Sequence, residues 1–317
     1  MKALVHDEYG GPEVLRVDEL PIPQPGPDEV LVRVRAASIN EGDAGLMAGT
    51  PMVNRTSGLR RPARRILGSD VAGVVEAVGA SVAGLRPGDE VFGDLSGCGF
   101  GAFAEYACAP ESALAPKPDF LSWEQAAAVP QAGGLAVAGL RTGGPPDGTH
   151  VLVNGGGGGV GTFAIQVAKA LGAEVTGVDG PGKLDAMLEL GADHVLDYMC
   201  TDFTSQGEQY DLILDVVCQR SVGAYRRALR TGGTAAVVGG PTQRLASAAL
   251  LGLAGAKRVR LVLYRPNRRD DMTLLVRLMA EGSVTPVVDW VYPLDEGRAA
   301  MRYYATGRFT GKIVLTM

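Results

Sequence analysis

The sequence predicts an α/β protein made of a doubly wound parallel sheet and a β-barrel-like unit. Three observations predict it. Residues 151–161 read as an apolar strand, Val-Leu-Val-Asn, running into five glycines, Val160 and Gly161, just ahead of an alanine-rich helix pattern. From Trp123 onward the pattern changes from short alternating segments to strands and helices in turn. A chain of 317 residues that is 46% hydrophobic and 21% charged can also bury two cores.

Residues 2–5, 15–19, 30–37, 69–78, 90–92 and 104–109 alternate apolar and polar positions and are punctuated by Gly and Pro. They read as strands of the barrel-like unit. Pro21, Pro23, Pro25 and Pro27 read as a rigid connection into the strand at Val30, because proline fixes φ and supplies no ladder donor. A proline-recognition motif is the less favoured reading. Helices are expected at 123–138, 161–171, 183–190 and 221–229, alternating with strands at 150–154, 174–178, 195–196, 212–215 and 234–238. That alternation implies a parallel sheet of about six strands covered on both faces. After residue 257 a strand at 258–264, a helix at 269–281, a strand at 287–292, a helix at 295–306 and a strand at 312–315 return the chain to the first unit. The expected division is 1–120, 121–257 and 258–317.

The glycine turn carries the first functional statement. Gly156, Gly158 and Gly161 fit G-x-G-x-x-G, with Gly159 and Val160 between the last two. The first glycine makes the tight turn, the second admits phosphates and the third lets helix approach strand, so a nucleotide pyrophosphate faces the helix N–H groups. The motif alone is weak, since glycine clusters also make plain turns. Here strand, turn, helix and a second strand ending at Asp179 follow in the required order.

Composition narrows the class further. The formal charge of -5 argues against a general nucleic-acid or anionic-membrane binder, and the run Arg60, Arg61, Arg64 and Arg65 reads as a solvated loop. A phosphorylated or CoA-like ligand is the alternative for that run. Charges at Lys2, Asp7 and Glu8 and breaks at Pro130, Gly133 and Gly134 interrupt any membrane-spanning or signal-like stretch, so a cytoplasmic protein is expected. Cys98, Cys108, Cys200 and Cys218 lack C-x-x-C spacing, and His6, His150 and His194 form no His/Cys/Glu cluster in sequence. Reduced thiols and no metal site are expected.

At this point the chain resembles the medium-chain dehydrogenase/reductases, and among them the zinc-free quinone oxidoreductase branch. The resemblance spans the whole chain and rests on Tyr9-Gly10-Gly11-Pro12-Glu13-Val14-Leu15, Ala37-Ser38-Ile39-Asn40 with Asp43, Gly73 to Gly79, Pro87 to Gly93 and Gly311-Lys312-Ile313-Val314-Leu315. It implies a GroES-like β-barrel domain from both chain ends, a Rossmann domain between them, and an active cleft where they meet. The zinc branch carries Gly-His-Glu where this chain has Gly68-Ser69-Asp70, and the four-cysteine lobe of that branch is absent. Zinc-polarised alcohol oxidation therefore loses its Lewis acid.

The resemblance implies hydride transfer from NAD(P)H to a small-molecule electrophile activated by conjugation, a quinone or an α,β-unsaturated carbonyl. Asn40 is then the first candidate donor to the carbonyl oxygen, with Asp43 and Tyr9 as further catalytic candidates. Their structural alternatives are a turn cap for Asn40, a helix start for Asp43 and packing for Tyr9. For the cofactor, Asp179 lies where a carboxylate would accept from ribose hydroxyls and favour NADH. Lys183 and Tyr198 match positions that contact the 2′-phosphate of NADPH in the quinone-reductase branch. The balance falls to NADPH, with NADH still open. Asp215, Gly239 and Gly240 complete the implied cofactor set.

The chain also departs from the family. Ala44, Gly45 and Leu46 stand where a bulky residue, often a tyrosine proton donor, is usual. Solvent protonation then suits quinones better than enoyl thioesters. Gln131, Leu135 and Cys218 replace residues common near the nicotinamide and are expected to reshape the substrate pocket. Two rival functions stay open: an enoyl-thioester reductase of a biosynthetic pathway, and a nucleotide-binding protein without catalysis. A homodimer through the 258–264 strand edge is expected.

Overall fold

The strands of the first part are buried more completely than alternation implies, since Ala3 to Val5, Asp70 to Gly73 and Val91 to Asp94 are consecutive buried residues. The computed structural model describes residues 1–317 apart from 56–57, 145–146, 208 and 253–254. The first elements are β1 (Lys2–Val5), β2 (Arg16–Glu19), β3 (Glu29–Ser38), α1 (Glu41–Ala48), β4 (Asp70–Val78), β5 (Glu90–Asp94), β6 (Tyr106–Pro110), β7 (Leu114–Pro116) and α2 (Trp123–Ala128). There follow α3 (Pro130–Gly143), β8 (His150–Asn154), α4 (Gly159–Ala170), β9 (Glu174–Asp179), α5 (Leu184–Glu189), β10 (His194–Asp197), β11 (Tyr210–Asp215), α6 (Val222–Ala228), β12 (Leu229–Val237), α7 (Thr242–Leu251) and β13 (Arg258–Leu261). The chain ends with α8 (Arg269–Ala280), β14 (Val288–Pro293), α9 (Gly297–Ala305) and β15 (Lys312–Thr316).

Two units result. The first comprises Met1–Gln131, Pro266–Arg268 and Pro286–Met317. Its main sheet runs β14-β15-β3-β4-β5-β7, with β6 paired to β3 as well, and β1 and β2 form a separate antiparallel pair. β3 is the hub: β15 places Val314 opposite Ser38, β4 places Asp70 opposite the same Ser38, and β6 takes the other end of the strand. Val32, Leu67, Phe103 and Ile313 fill the core beneath.

The second unit comprises Ala132–Arg265 and Arg269–Thr285. Its six strands run β10-β9-β8-β11-β12-β13, all parallel. That is the doubly wound order, in which the strand sequence reverses direction beside β8. Leu152, Ile213, Tyr225 and Val259 pack in its core, and the apolar runs of β8 and β11 are those of strands buried on both faces.

Two boundaries differ from expectation. The helix foreseen over 123–138 is two helices, since Pro130 brings no N–H and restricts the residue before it. Ser122 and Gln125 cap α2 reciprocally, Ser122 Oγ accepting from Gln125 N at 3.2 Å and Gln125 Oε1 from Ser122 N at 3.1 Å. α2 lays its buried alanines on β3 and β4, so the first unit extends to Gln131 rather than ending at 120. The return to that unit is also later than residue 258, because β13 is the sixth parallel strand and α8 packs on α4. The short β7 and the helix α7 add to the elements foreseen.

The run Arg55–Arg65 includes positions 56 and 57, which lie outside the described residues. Arg65 pairs with Asp7 at 2.6 Å, and the two arginines Arg65 and Arg16 hold the Asp7 carboxyl down to about 2. Arg64 lies over the Phe100 ring. Among the described residues no helix is long and apolar enough to cross a membrane.

The second unit's last segment is tied down by Gln166 of α4, whose Nε2 donates to Thr285 O at 3.0 Å and whose Oε1 accepts from Thr285 N at 2.8 Å. Gln166→Leu removes both bonds inside a buried site. Chemical denaturation is expected to show a loss of about 1–3 kcal/mol, and an unchanged midpoint would contradict this tether.

Candidate functional site

The glycine turn after β8 is built as the sequence motif requires. Gly155 and Gly156 both donate to Val178 O, at 2.9 and 3.0 Å, which locks the turn onto β9. Gly155 has φ +86, and a Cβ added at Gly161 would lie 2.1 Å from Gly155 O. Glycine is therefore required at both places. Gly158 caps α4, and Gly159, Val160 and Gly161 are its first residues, whose N–H groups have no carbonyl one turn back. A nucleotide pyrophosphate fits this cradle: the backbone can be approached closely and presents donors at the positive end of a helix dipole.

At the end of β9 the Asp179 carboxylate accepts from Gly157 N at 2.9 Å and from Gly180 N at 2.8 Å. Lys183 Nζ stands 3.9 Å from the same carboxylate, and the Tyr198 ring lies beside Gly180. Asp179, Lys183 and Tyr198 thus form one patch. Tyr198 N also donates to Asp179 O at 3.2 Å.

Asp215 is placed differently from its expected role. It is fully buried, with Oδ1 accepting from Val217 N and Cys218 N at 2.7 Å each and Oδ2 from Tyr225 OH at 2.8 Å. Its carboxylate holds the turn after β11, taking the N–H groups of Val217 and Cys218. Burial, with the Asp215 charge behind it, pushes the Tyr225 phenol well up. Cys218 sits at φ +51, a conformation that favours glycine, and a Cβ on Gly240 would be 2.5 Å from the Cys218 Cβ. An added Cβ on Gly239 would meet only open space.

In the first unit the chemistry gathers around Lys312 of β15. Its buried Nζ donates to Ile39 O at 2.9 Å and to Asn40 Oδ1, and stands 3.5 Å from Asp70 Oδ2. An ammonium can only donate, so the Asn40 amide is oriented with its oxygen toward Lys312. Asn40 Nδ2 then donates to Ser69 Oγ at 2.9 Å and to Asp70 Oδ2 at 2.8 Å. Both amide hydrogens are taken. Donation from Asn40 to a carbonyl oxygen, as expected from the sequence, would break one of these bonds, so the geometry corrects Asn40 from a donor to an oriented acceptor.

Asp70 also accepts from Ser38 Oγ at 2.8 Å and from Gln131 N at 3.0 Å. Gln131 Nε2 reaches Ser69 Oγ and Asp94 Oδ2, each at 3.4 Å. Leu135, four residues further along α3, is half-buried. Asp43 is the third residue of α1 and accepts from Asn40 N and Gly68 N at 2.9 Å each. It shapes the turn, which is its structural alternative. Tyr9 donates its hydroxyl to Gly58 O at 2.5 Å while its ring lies under Arg55 and against Gly49. It too serves packing in this geometry. Lys312, Ser69 and Asp94 are members that sequence reading missed, although a single lysine within the apolar strand Lys-Ile-Val-Leu-Thr was a usable signal.

Burial pushes the Asp43 carboxyl up to about 7 and that of Asp70 up to about 6, and it lowers the Lys312 ammonium. The carboxyl stabilisation is complete below the unfolded pKa near 4 and is lost as pH rises through these folded values. Lys312 works in the opposite sense, since its neutral form is favoured by burial and its contribution is lost as pH falls. The stability gap between wild type and Asp43→Asn is expected to shrink between about pH 5 and pH 7.5. Urea titrations in which the gap widens would contradict it.

Zinc does not fit the cluster. The side chains are two amides, two hydroxyls and carboxylates, with no thiolate or imidazole, and the Lys312 ammonium already supplies the positive charge. Cys98, Cys108, Cys200 and Cys218 are unpaired thiols. Among the described residues no three His, Cys, Asp or Glu side chains are grouped to hold a metal.

Comparison with known proteins agrees with this architecture. The alcohol dehydrogenase GroES-like domain family matches residues 26–119 and the zinc-binding dehydrogenase family matches residues 190–315. A quinone-oxidoreductase from Triphysaria versicolor, QR1, chloroplastic, is 32% identical over 99% of this chain and 98% of its own. An NADPH-dependent alkenal/one oxidoreductase, chloroplastic, from Arabidopsis thaliana is 32% identical over 99% of this chain and 79% of its own. The structure of the quinone oxidoreductase from Coxiella burnetii superposes with a TM-score of 0.90 at 27% identity, covering 100% of this chain and 99% of that one. This chain belongs to the medium-chain dehydrogenase/reductase superfamily, in its quinone oxidoreductase branch.

Proposed function

We propose that the protein reduces a quinone or an α,β-unsaturated carbonyl with NADPH and without a metal. The observation that carries this reading is the glycine turn with the Asp179, Lys183 and Tyr198 patch at its flank. These residues would hold the pyrophosphate and the adenosine ribose of NADPH, whose reduced nicotinamide would supply the hydride. The oxidoreductase class and the acceptor class follow from the family, and the likeness to an NADPH-dependent alkenal/one oxidoreductase supports NADPH.

The choice of NADPH over NADH rests on what Asp179 does. Each of its oxygens accepts a backbone N–H, and Lys183 offsets its charge, so its repulsion of a 2′-phosphate is weakened. Lys183 and Tyr198 supply a cation and a hydroxyl on the same patch. In the first unit, Asn40 keeps its carbonyl on Lys312 and its hydrogens on Ser69 and Asp70; Gln131 is a departure from the family there, as Leu135 and Cys218 are in the second unit. With Ala44, Gly45 and Leu46 where a bulky proton donor is usual in the family, protonation from water suits a quinone better than an enoyl thioester, whose α-carbon needs a directed proton.

Assembly and location belong to the same proposal. β13 pairs with β12 on one side only, and Leu250, Leu251 and Leu263 near it are exposed, Leu263 at 85%. A two-fold pairing of β13 edges would join two sheets and cover these leucines in a homodimer. A cytoplasmic site of action is retained as the expected one, with fractionation as its test.

Calorimetric titration of NADPH and NADH against wild type, Lys183→Ala and Asp179→Ala tests the cofactor assignment, followed by NADPH oxidation with simple quinones and enones. Tighter binding of NADPH is expected, with Lys183→Ala weakening it about tenfold or more. Tighter NADH that depends on Asp179 would overturn the NADPH assignment. Binding of neither nucleotide, or binding without turnover of any quinone or enone, would overturn the reductase function in favour of a non-catalytic role.

A further inference from the structure

Gln131 has one polar atom left over. Its backbone N–H goes to Asp70 Oδ1 at 3.0 Å, and its two side-chain hydrogens face Ser69 Oγ and Asp94 Oδ2, each at 3.4 Å. An amide nitrogen holds two hydrogens, so none remains for a ligand. The opposite end, Oε1, is left without a hydrogen-bond partner among the described residues, on a side chain that is only half-buried.

This orientation is enforced. Asp94 Oδ1 accepts from Ser96 N at 2.7 Å, and Asn267 brackets the Asp94 backbone, Oδ1 accepting from Asp94 N at 2.8 Å and Nδ2 donating to Asp94 O at 2.7 Å. The carboxylate that receives the Gln131 amide is thus fixed in place. Ser69 Oγ collects a hydrogen from Gln131 and another from Asn40, so the two amides are neighbours and both turn their nitrogens inward. Ser69, Asp70 and Asp94 are at most 1% exposed and out of a ligand's reach. The Asn40 oxygen is held by the buried Lys312, so what the cluster can offer outward from its amides is the Gln131 carbonyl oxygen.

We propose that Gln131 Oε1 accepts a hydrogen bond from a hydroxyl group of the substrate, so that the preferred acceptors are quinones or enones carrying a hydroxyl beside the conjugated carbonyl. The proposal rests on the reductase reading of this site. An apolar acceptor laid over Oε1 strips its water and returns nothing, whereas a hydroxyl replaces the lost bond. A site built in this way discriminates against the analogue that lacks the donor more strongly than an apolar pocket discriminates by size.

The test compares hydroxymethyl-benzoquinone with ethyl-benzoquinone, which match in size, by kcat/KM with NADPH and by calorimetric binding to the NADP+-loaded protein. Wild type is expected to favour the hydroxymethyl compound about tenfold. Gln131→Leu is expected to bring the ratio near one while the NADPH Kd holds, with Gln131→Met as the second variant should the leucine protein misfold. Equal affinity for the two quinones in wild type, or a preference that survives both variants, would overturn the inference. So would a tenfold weaker NADPH Kd in the variants, which would assign Oε1 to the cofactor. Hydroxyl-selective binding without turnover would support the contact and overturn the reductase function alone.

Discussion

A buried ammonium organises the first unit. Lys312 enters on the last strand and satisfies its charge on the ends of two others, at Ile39 O and Asn40 on the β3 side and at Asp70 on β4. Burying one cation and one anion is costly, and removing either partner leaves an uncompensated charge worth about 3–5 kcal/mol. The C-terminal strand is therefore pinned to the hub of the sheet. The same contact sets the Asn40 amide, and through it one of the hydrogens that Ser69 receives. Architecture and site chemistry are decided by one side chain.

The same logic accounts for a site of this family that uses amides where others use a metal. A zinc ion would need thiolate, imidazole or carboxylate ligands around it, and would be repelled by Lys312. With the lysine in place, Asp43 and Asp70 can share the buried region only because backbone and side-chain donors surround them. In the second unit the corresponding device is Asp179, which spends its oxygens on Gly157 and Gly180 and so braces the glycine turn from the far side. Both units use a carboxylate to hold backbone, Asp43 in the first and Asp179 in the second.

Much of the fold was legible because period and punctuation carry it. β1 and β8 fall where the patterns place them, and the parallel sheet has its six strands. The break at Val129 was masked by an alanine-rich run whose apolar spacing continues past Pro130. The late return of the chain was hidden for another reason: α8 and Thr285 belong to the second unit through tertiary contacts with α4, notably Gln166, that no local pattern announces. The glycine turn could be read because glycine's role there is local and steric. The roles of Asn40 and Asp215 could not, since they depend on which partners arrive from distant strands and turns. A sequence motif supplies the residue type, and only the network decides whether its hydrogens are available.

Lys312 and the amides, rather than a metal, order the site proposed for reduction. The most direct measurement is quinone-dependent NADPH oxidation by protein stripped with a strong chelator, with its metal content determined alongside. An undiminished rate in metal-free protein, unchanged on adding zinc, is the predicted result. A rate lost on stripping and restored by zinc would contradict it.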